Sequence, residues 1–440
     1  MIFALSTPPG VSAIAVIRTS GEGCIEVVSG CLDKKPIEKN LAFVTNFIAS
    51  GLVVDRVVVT PFFAPYSFTG EDMLEISCHG SPLVISQIFS ALEALGLREA
   101  GPGEFSERAF VNGKLALNEA ESISDLIHAT SLEEANLIAK SFAGTLQGSL
   151  LGLGDKIDGL RFSVEASIDF ADEDLDLDGL HQIKGSLSNL LIDVNAFIGS
   201  CYVVNSKKKE KRVLLVGPPN SGKSSLFNKL VGFDRAIVSD TPGTTRDLLE
   251  QRVLFEGMSF ELIDSAGIRN SDDRIEQQGI KMIGDFANSS DVLILLFSTE
   301  ELIDLDGFIK TFDFDGKTLK VLNKIDISDL VDKKTQGYDY LVSVKTGEGL
   351  PEFINGLKGV LDSGESIQKN ASFSIRERHM TSLLALTENL KTAIDHCVLG
   401  NEEILAENLK LARSNLDFIL GKKYTEDLLG DIFNNFCVGK

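Results

Sequence analysis

Apolar positions follow three rhythms along the chain. Over 1–116 they come in short β-branched runs broken by turns, such as Ala13, Ile14, Ala15, Val16 and Ile17, and Val57, Val58 and Val59. Residues 82–95 of this stretch have helical spacing, so a compact α+β domain is predicted. From Leu117 the period lengthens. Ala120, Ile123 and Ile127 share one helical face, and the rhythm runs on to Phe197 with no proline between 117 and 210. It returns after Ile375, in Leu383, Leu386, Leu390, Ala393, Ile394 and Cys397, and again in Leu405, Leu409, Ala412, Leu416 and Leu420. Between the helical halves, short apolar runs at 212–216, 259–263, 292–297 and 319–322 read as buried strands, and 226–230 reads as helix. The predicted fold is therefore a multidomain α/β and α+β chain. It has an α+β domain over 1–116, a discontinuous helical domain over 117–210 and 366–440, and an α/β domain over 211–365 inserted into the helical one. The run K-K-K-E-K-R at 207–212 is read as a solvated entry tether.

Composition narrows the class. The chain has 440 residues, 43% of them hydrophobic, enough for several buried cores. The longest apolar run, at 292–297, is too short to cross a bilayer. The start of the chain lacks the basic flank of a signal peptide. Six cysteines are scattered with no C-x-x-C pair, which argues against zinc and a disulfide framework and for a reducing, cytoplasmic setting. Net charge is −22 and no segment is basic. A nucleic-acid partner would be held by a local patch or by another protein.

The chemistry is concentrated in the inserted domain. Residues 217–225 read G-P-P-N-S-G-K-S-S between a predicted strand and a predicted helix. In that context G-x-x-x-x-G-K-[ST] cradles phosphates on backbone N–H groups at a helix start. Asn220, Ser221, Gly222, Lys223, Ser224 and Ser225 are the expected contacts, with Lys223 on the β- and γ-phosphates and Ser224 on Mg²⁺. Asp264, Ser265, Ala266 and Gly267 form a D-x-x-G after a strand, where the Asp serves the Mg²⁺ shell and the Gly N–H senses the γ-phosphate. Between them lies a threonine-rich loop able to close over Mg²⁺ (Thr241, Pro242, Gly243, Thr244, Thr245). Asn323, Lys324, Ile325 and Asp326 spell N-K-x-D, which suits guanine because one carboxylate accepts from both the ring N–H and the exocyclic amine. Ser343, Val344 and Lys345 would back the base from a second loop. Four motifs in order, each after a strand, make this a GTPase domain resembling the Ras-like superfamily. Ile268 stands where many such enzymes carry a water-orienting Gln. The polar stretches 67–72, 78–80 and 101–108 are read as loops and caps, and His79 as structural.

The whole chain resembles the MnmE (TrmE) family of bacterial and organellar tRNA-modification GTPases. The resemblance rests on the 7–10, 67–72, 102–108 and 168–170 stretches, on the GTPase motifs with Asn220 and Gly243, Thr244, Thr245, Arg246 and Asp247, and on the terminal Cys437-Val438-Gly439-Lys440. Val438, Val344 and Ala171 depart from the usual Ile, Ala and Pro. The resemblance implies a tetrahydrofolate-binding domain over 1–116 that also dimerises the protein. It implies a helical domain from both flanks and a potassium-activated GTPase domain. With an FAD-dependent partner, MnmG (GidA), in a heterotetramer or larger complex, such proteins add a carboxymethylaminomethyl or aminomethyl group at C5 of the wobble uridine of certain tRNAs. The donor is 5-formyl- or 5,10-methylene-tetrahydrofolate. By resemblance, Arg18, Glu75, Lys114 and Lys440 bind folate. Asn220, Ser239, Thr241 and Thr244 hold K⁺, with Asp240 and Pro242 in the same loop, and Ser224 and Thr245 hold Mg²⁺. Glu276 orients or activates water, and Cys437 joins the modification chemistry. Two other readings stay open on the residues alone. One is a ribosome-assembly GTPase, which would need a basic RNA module. The other is a stand-alone folate-dependent transferase with regulatory GTP.

Overall fold

The computed structural model describes residues 1–34, 41–169, 177–204, 210–232, 250–255, 257–265, 286–299, 314–327, 337–362, 370–398, 401–436 and 438–439. The chain divides into two compact units. One comprises Met1–His128, Asn136–Ser206 and Lys369–Lys440, and the other Ala129–Ala135 and Lys207–Gln368.

The first unit begins with a six-stranded sheet made of β1 (Ile2–Leu5), β2 (Ser12–Ser20), β3 (Phe43–Ala49), β4 (Leu52–Phe62), β5 (Met73–Gly80) and the short β6 (Arg98–Glu99). Their order is β3-β4-β5-β2-β1-β6. The alternating runs put Phe3, Ile17, Val57, Val59, Leu74 and Ile76 in one core with Cys24, Ile25 and Val28 of the short α1 (Cys24–Val28) and Ile88 and Leu92 of α2 (Pro82–Ala94). Proline at the first helical position of α2 lacks only an N–H that would have had no intrahelical partner. The 78–80 stretch, expected as a loop, is the end of β5. Cys78 pairs with Ala15 and Gly80 with Ser12, and Gly80 is required because a Cβ there would lie 2.0 Å from Ser12 Oγ. The exposed His79 has Nδ1 2.8 Å from Asp55 Oδ1.

Helices α3 (Glu104–Val111), α4 (Leu117–His128), α5 (Leu132–Lys140), α6 (Leu146–Asp169) and α7 (Leu177–Gly199) follow. Helices from the far end of the chain join α6 and α7 in one core. Leu150, Ile157, Val164, Leu187, Leu190 and Val194 pack with Leu383, Leu386, Leu390, Leu405, Leu409 and Leu416. Each such leucine contributes about 1.5–3 kcal/mol when fully buried, which explains how helices far apart in sequence hold as one body. The chain leaves this core along β7 (Cys201–Val204) and returns along β14 (Phe373–Arg376), and these two strands pair in parallel, Cys201 opposite Phe373.

The return is also locked by buried charge. Glu121, on α4, is 1% exposed and accepts Nε and NH2 of Arg378 at 2.6 and 2.7 Å. Arg376 NH2 reaches Asp125 Oδ1 at 2.7 Å, and His379 Nε2 lies 3.0 Å from Glu121 Oε2. Burial pushes the Glu121 carboxyl up, but His379 and the Arg378 guanidinium outweigh it and hold it well below the usual carboxylate range. Burial lowers the His379 pKa.

The second unit is a six-stranded sheet in the order β13-β12-β11-β8-β10-β9. Its strands are β8 (Lys211–Val216), β9 (Glu250–Phe255), β10 (Met258–Asp264), β11 (Val292–Ser298), β12 (Lys317–Asn323) and β13 (Tyr340–Leu341), flanked by helices Lys223–Gly232 and Leu350–Asp362. Among the described strands of this sheet only β9 runs antiparallel to its neighbour. Strand β11 is buried at every position, as a central parallel strand must be. The entry tether is shorter than its charges suggested. Lys211 and Arg212 already belong to β8, where Arg212 Nε bonds Glu261 Oε2 at 2.7 Å. Residues 129–135 join this unit as an added edge: Leu132 N donates to Gly257 O at 2.7 Å and Ser259 N to Thr130 O at 2.8 Å. Among the described residues no helix is long and apolar enough to cross a membrane.

Candidate functional site

Because β10, β8, β11, β12 and β13 run parallel, their carboxyl ends share one edge. Ligands of open α/β sheets bind at that edge, and each described motif begins there. The 217–222 loop leaves β8 and turns into the helix that starts at Lys223. Its path demands small residues. A Cβ on Gly217 would lie 2.1 Å from Leu296 O, and one on Gly222, whose φ is +99°, would lie 2.2 Å from Asn323 Nδ2. Asn220 also has positive φ, 63°. The Lys223 ammonium is held against the loop by the carbonyls of Gly217 at 2.9 Å and Pro218 at 2.8 Å. Ser224 and Ser225 face solvent at the helix start.

Asn323 joins the phosphate loop to the base loops. Its Nδ2 donates to Ser221 O at 2.9 Å, and its Oδ1 accepts from Val344 N at 3.1 Å. Since Val344 contributes its backbone N–H, the exchange of the usual Ala for Val leaves this bond intact. Ser343 Oγ accepts from Thr346 N at 3.1 Å and donates to Asp326 Oδ1 at 2.7 Å, which aims the exposed Asp326 carboxylate. Lys324 takes positive φ, 65°, and its carbonyl accepts from Thr299 Oγ1 at 3.1 Å. Ile325 N reaches Val342 O, and Lys345 is exposed. Asp264 ends β10 opposite Leu215, and Ser265 N bonds the Leu215 carbonyl at 3.2 Å.

These residues fit a guanine nucleotide with Mg²⁺. The phosphate loop has the glycine clearances of a close backbone cradle, and Ser221 Oγ is buried there without a hydrogen-bond partner. Ser224 and Asp264 supply the hard oxygen donors Mg²⁺ prefers. Ser239, Asp240, Thr241, Pro242, Gly243, Thr244, Thr245, Ala266, Gly267, Ile268 and Glu276 lie outside the described residues.

The first unit holds a second cluster. Arg18 on β2 pairs with Glu75 on β5, Nε to Oε1 at 2.9 Å. Lys114 lies against the 67–72 loop, where its stem is beside Gly70. That loop reaches β2 through Glu71 Oε2, which accepts from Ser20 Oγ at 2.7 Å. The carboxyl-terminal helix Glu426–Phe433 packs Leu429, Ile432 and Phe433 with Leu117 and Ala120, and Phe436 continues that contact. Val438 then pairs with Pro102, and Ser6 Oγ donates to Gly439 O at 3.1 Å. Gly439 has φ +89°, and a Cβ on it would sit 2.3 Å from Leu5 O, so only glycine passes. Leu5 ends β1, where Ala4 is paired with Arg18. Cys437 and Lys440 lie outside the described residues.

Two family profiles match, "GTP-binding protein TrmE N-terminus" over residues 1–114 and "MnmE helical domain" over residues 117–437. A tRNA modification GTPase MnmE of Alkalilimnicola ehrlichii is 38% identical across 100% of this chain and 99% of its own length. The chain belongs to the MnmE family of tRNA modification GTPases. Proteins of the same name from Natranaerobius thermophilus, 35% identical with 99% of its length covered, and from Xylella fastidiosa, 37% with 98%, also align over 100% of the chain. The Glu121–Arg376–Arg378 cluster and the salt-bridged Arg98–Glu104–Arg108–Glu71 chain were not among the residues expected from the sequence. For the latter a signal existed, since Glu104 and Arg108 are one helical turn apart.

Proposed function

We propose that this chain hydrolyses GTP to drive modification of the wobble uridine of certain tRNAs, with a tetrahydrofolate one-carbon donor and an FAD-dependent partner protein. The observation that carries this reading is the extent of the likeness: relatives named tRNA modification GTPase align over the full chain, the sheet domain and tail included. The proposed domain limits are 1–116 for folate binding and dimerisation, 117–210 with 366–440 for the helical domain, and 211–365 for the GTPase. The proposed setting is cytoplasmic, as a homodimer bound to its partner in a heterotetramer or larger assembly.

In the nucleotide site, Lys223 and the 217–222 backbone bind phosphates, and Asp326 and Asn323 select guanine. Ser224, Thr245 and Asp264 hold Mg²⁺, which supplies positive charge to the phosphates when bound. Glu276 orients the attacking water in place of the glutamine absent at 268. We assign K⁺ to Asn220, Ser239, Thr241 and Thr244. The left-handed backbone at Asn220, which exposes its side chain at the loop, supports that reading. Turnover should be on the order of tenfold or more faster in K⁺ than in Na⁺, because fixed positive charge stabilises the transferring phosphoryl group more than any other single effect. Asn220→Ala should lose this ion dependence. Equal rates of phosphate release in the two salts would contradict the assignment.

In the other site, Arg18, Glu75, Lys114 and Lys440 are assigned to folate, with Cys437 as the reactive thiol. Docking of Val438 and Gly439 against Pro102 and Ser6 supports a terminal segment that is held rather than frayed. The direct test is Cys437→Ser. Wobble-uridine modification should be abolished in cells while purified protein hydrolyses GTP near its normal rate. Normal modification by this variant would refute the terminal site.

A further inference from the structure

The carboxylate of Glu104 occupies a place that the nucleotide and folate assignments leave unused. Glu104 opens α3, where a negative charge is favoured by the helix start. Its side chain is 14% exposed. Oε2 accepts Gly101 N at 3.0 Å and Arg98 NH1 at 2.8 Å, and Oε1 accepts Arg108 NH2 at 2.9 Å. Burial opposes the charge, but the bonds from Arg98, Gly101 and Arg108 prevail and pull this carboxyl down to about 2. It is therefore ionised throughout the physiological range, and its charge-assisted bonds are the strong kind.

The loop it closes, 101–103, is the one that receives the end of the chain. Pro102 pairs with Val438. Gly103 has φ +66°, and a Cβ on it would fall 2.5 Å from Phe433 O, the last residue of the terminal helix. Arg108 extends the same chain of charges to Glu71 Oε2 at 3.0 Å, and Glu71 holds Ser20 two residues along β2 from Arg18.

We propose that Glu104 is a positioning residue for the carboxyl terminus. It fixes the 101–103 loop as the edge on which residues 438–439 dock, and through Arg108 it ties that edge to the strand bearing Arg18. Its importance to the modification reaction rests on the terminal-site reading above. The docking itself does not.

The test is amide hydrogen exchange on the full-length protein, wild type against Glu104→Ala and Glu104→Gln, read together with 5-formyl-tetrahydrofolate affinity and GTP turnover. In Glu104→Ala the peptide containing Val438 and Gly439 should exchange on the order of tenfold faster or more, with β2 and β5 peptides unchanged and GTP turnover unchanged. Glu104→Gln keeps an acceptor for Gly101 N–H and should fall between, which preserves the test if the alanine variant folds poorly. Unchanged exchange of the terminal peptide in both variants would overturn the proposal. So would acceleration spread evenly over β2, β5 and the terminus, because Glu104 would then be a general stabiliser. A loosened terminus should be accompanied by folate affinity weakened about tenfold. A loosened terminus with unchanged folate affinity upholds the positioning role and contradicts the assignment of folate to that end of the chain.

Discussion

Replacing Glu121 by alanine should destabilise the first unit by about 3–5 kcal/mol, the cost of breaking a buried ion pair from one side. The substitution leaves the partly buried Arg378 guanidinium without its two short carboxylate bonds and removes the carboxylate facing the buried His379. Asp125 remains, but its bonds go to Arg376. The carboxyl of Glu121 is depressed in the folded state, so its contribution is present above the ordinary carboxylate pKa and is lost as pH falls through the folded value. The gap between wild type and Glu121→Ala should accordingly be wide at neutral pH and narrow in acid. Urea melts at pH 7 and at about pH 3 measure both. A loss below about 1 kcal/mol at pH 7 would mean that the cluster is not what holds α4 to the returning chain.

The second large effect concerns the base. Asp326→Asn replaces an acceptor pair by one acceptor and one donor. Losing a charged hydrogen bond costs about 2–3 kcal/mol, on the order of 30–150-fold in affinity. GTP should weaken by that factor, and xanthosine triphosphate, which presents a carbonyl where guanine has its amine, should bind better than to the wild type. The Ser343 hydroxyl already aims this carboxylate, at 2.7 Å, so the base would meet it in a fixed orientation. Titration of both nucleotides against both proteins decides it. Unchanged GTP affinity with no gain for the xanthine nucleotide would remove Asp326 from the base site.

Much of the architecture was legible in the chain because it follows from periodicity. The helical faces after Leu146 and after Ile375 meet in one core, and the phosphate and N-K-x-D motifs sit at the carboxyl ends of parallel strands. On α4 the expected face fails, since Ile127 is exposed while Glu121 and Asp125 take the buried side to meet Arg378 and Arg376. What was not legible depends on contacts remote in sequence. Glu121 and Arg378 are 257 residues apart, and no local pattern marks a charged residue on an apolar helix as one half of a buried pair. Cys78, His79 and Gly80 look like a polar turn, yet the ladder to β2 makes them strand, which is a tertiary demand overriding local preference. Residues 129–135 have ordinary helix-boundary composition. Their role as an added edge beside Gly257 rests on backbone hydrogen bonds, which carry no residue signature. In the same way, Asn323 is recognisable as part of a guanine motif, whereas its bond to Ser221 across the sheet edge is visible only in three dimensions.

The most direct measurement is nucleoside analysis of tRNA from cells lacking this protein, with a restored strain beside it. The proposed function predicts that the carboxymethylaminomethyl or aminomethyl group at C5 of the wobble uridine disappears in the deletion and returns on complementation, while ribosome profiles stay normal. Fully modified wobble uridine in the deletion strain, together with abnormal ribosome profiles, would contradict it and favour a role in ribosome assembly.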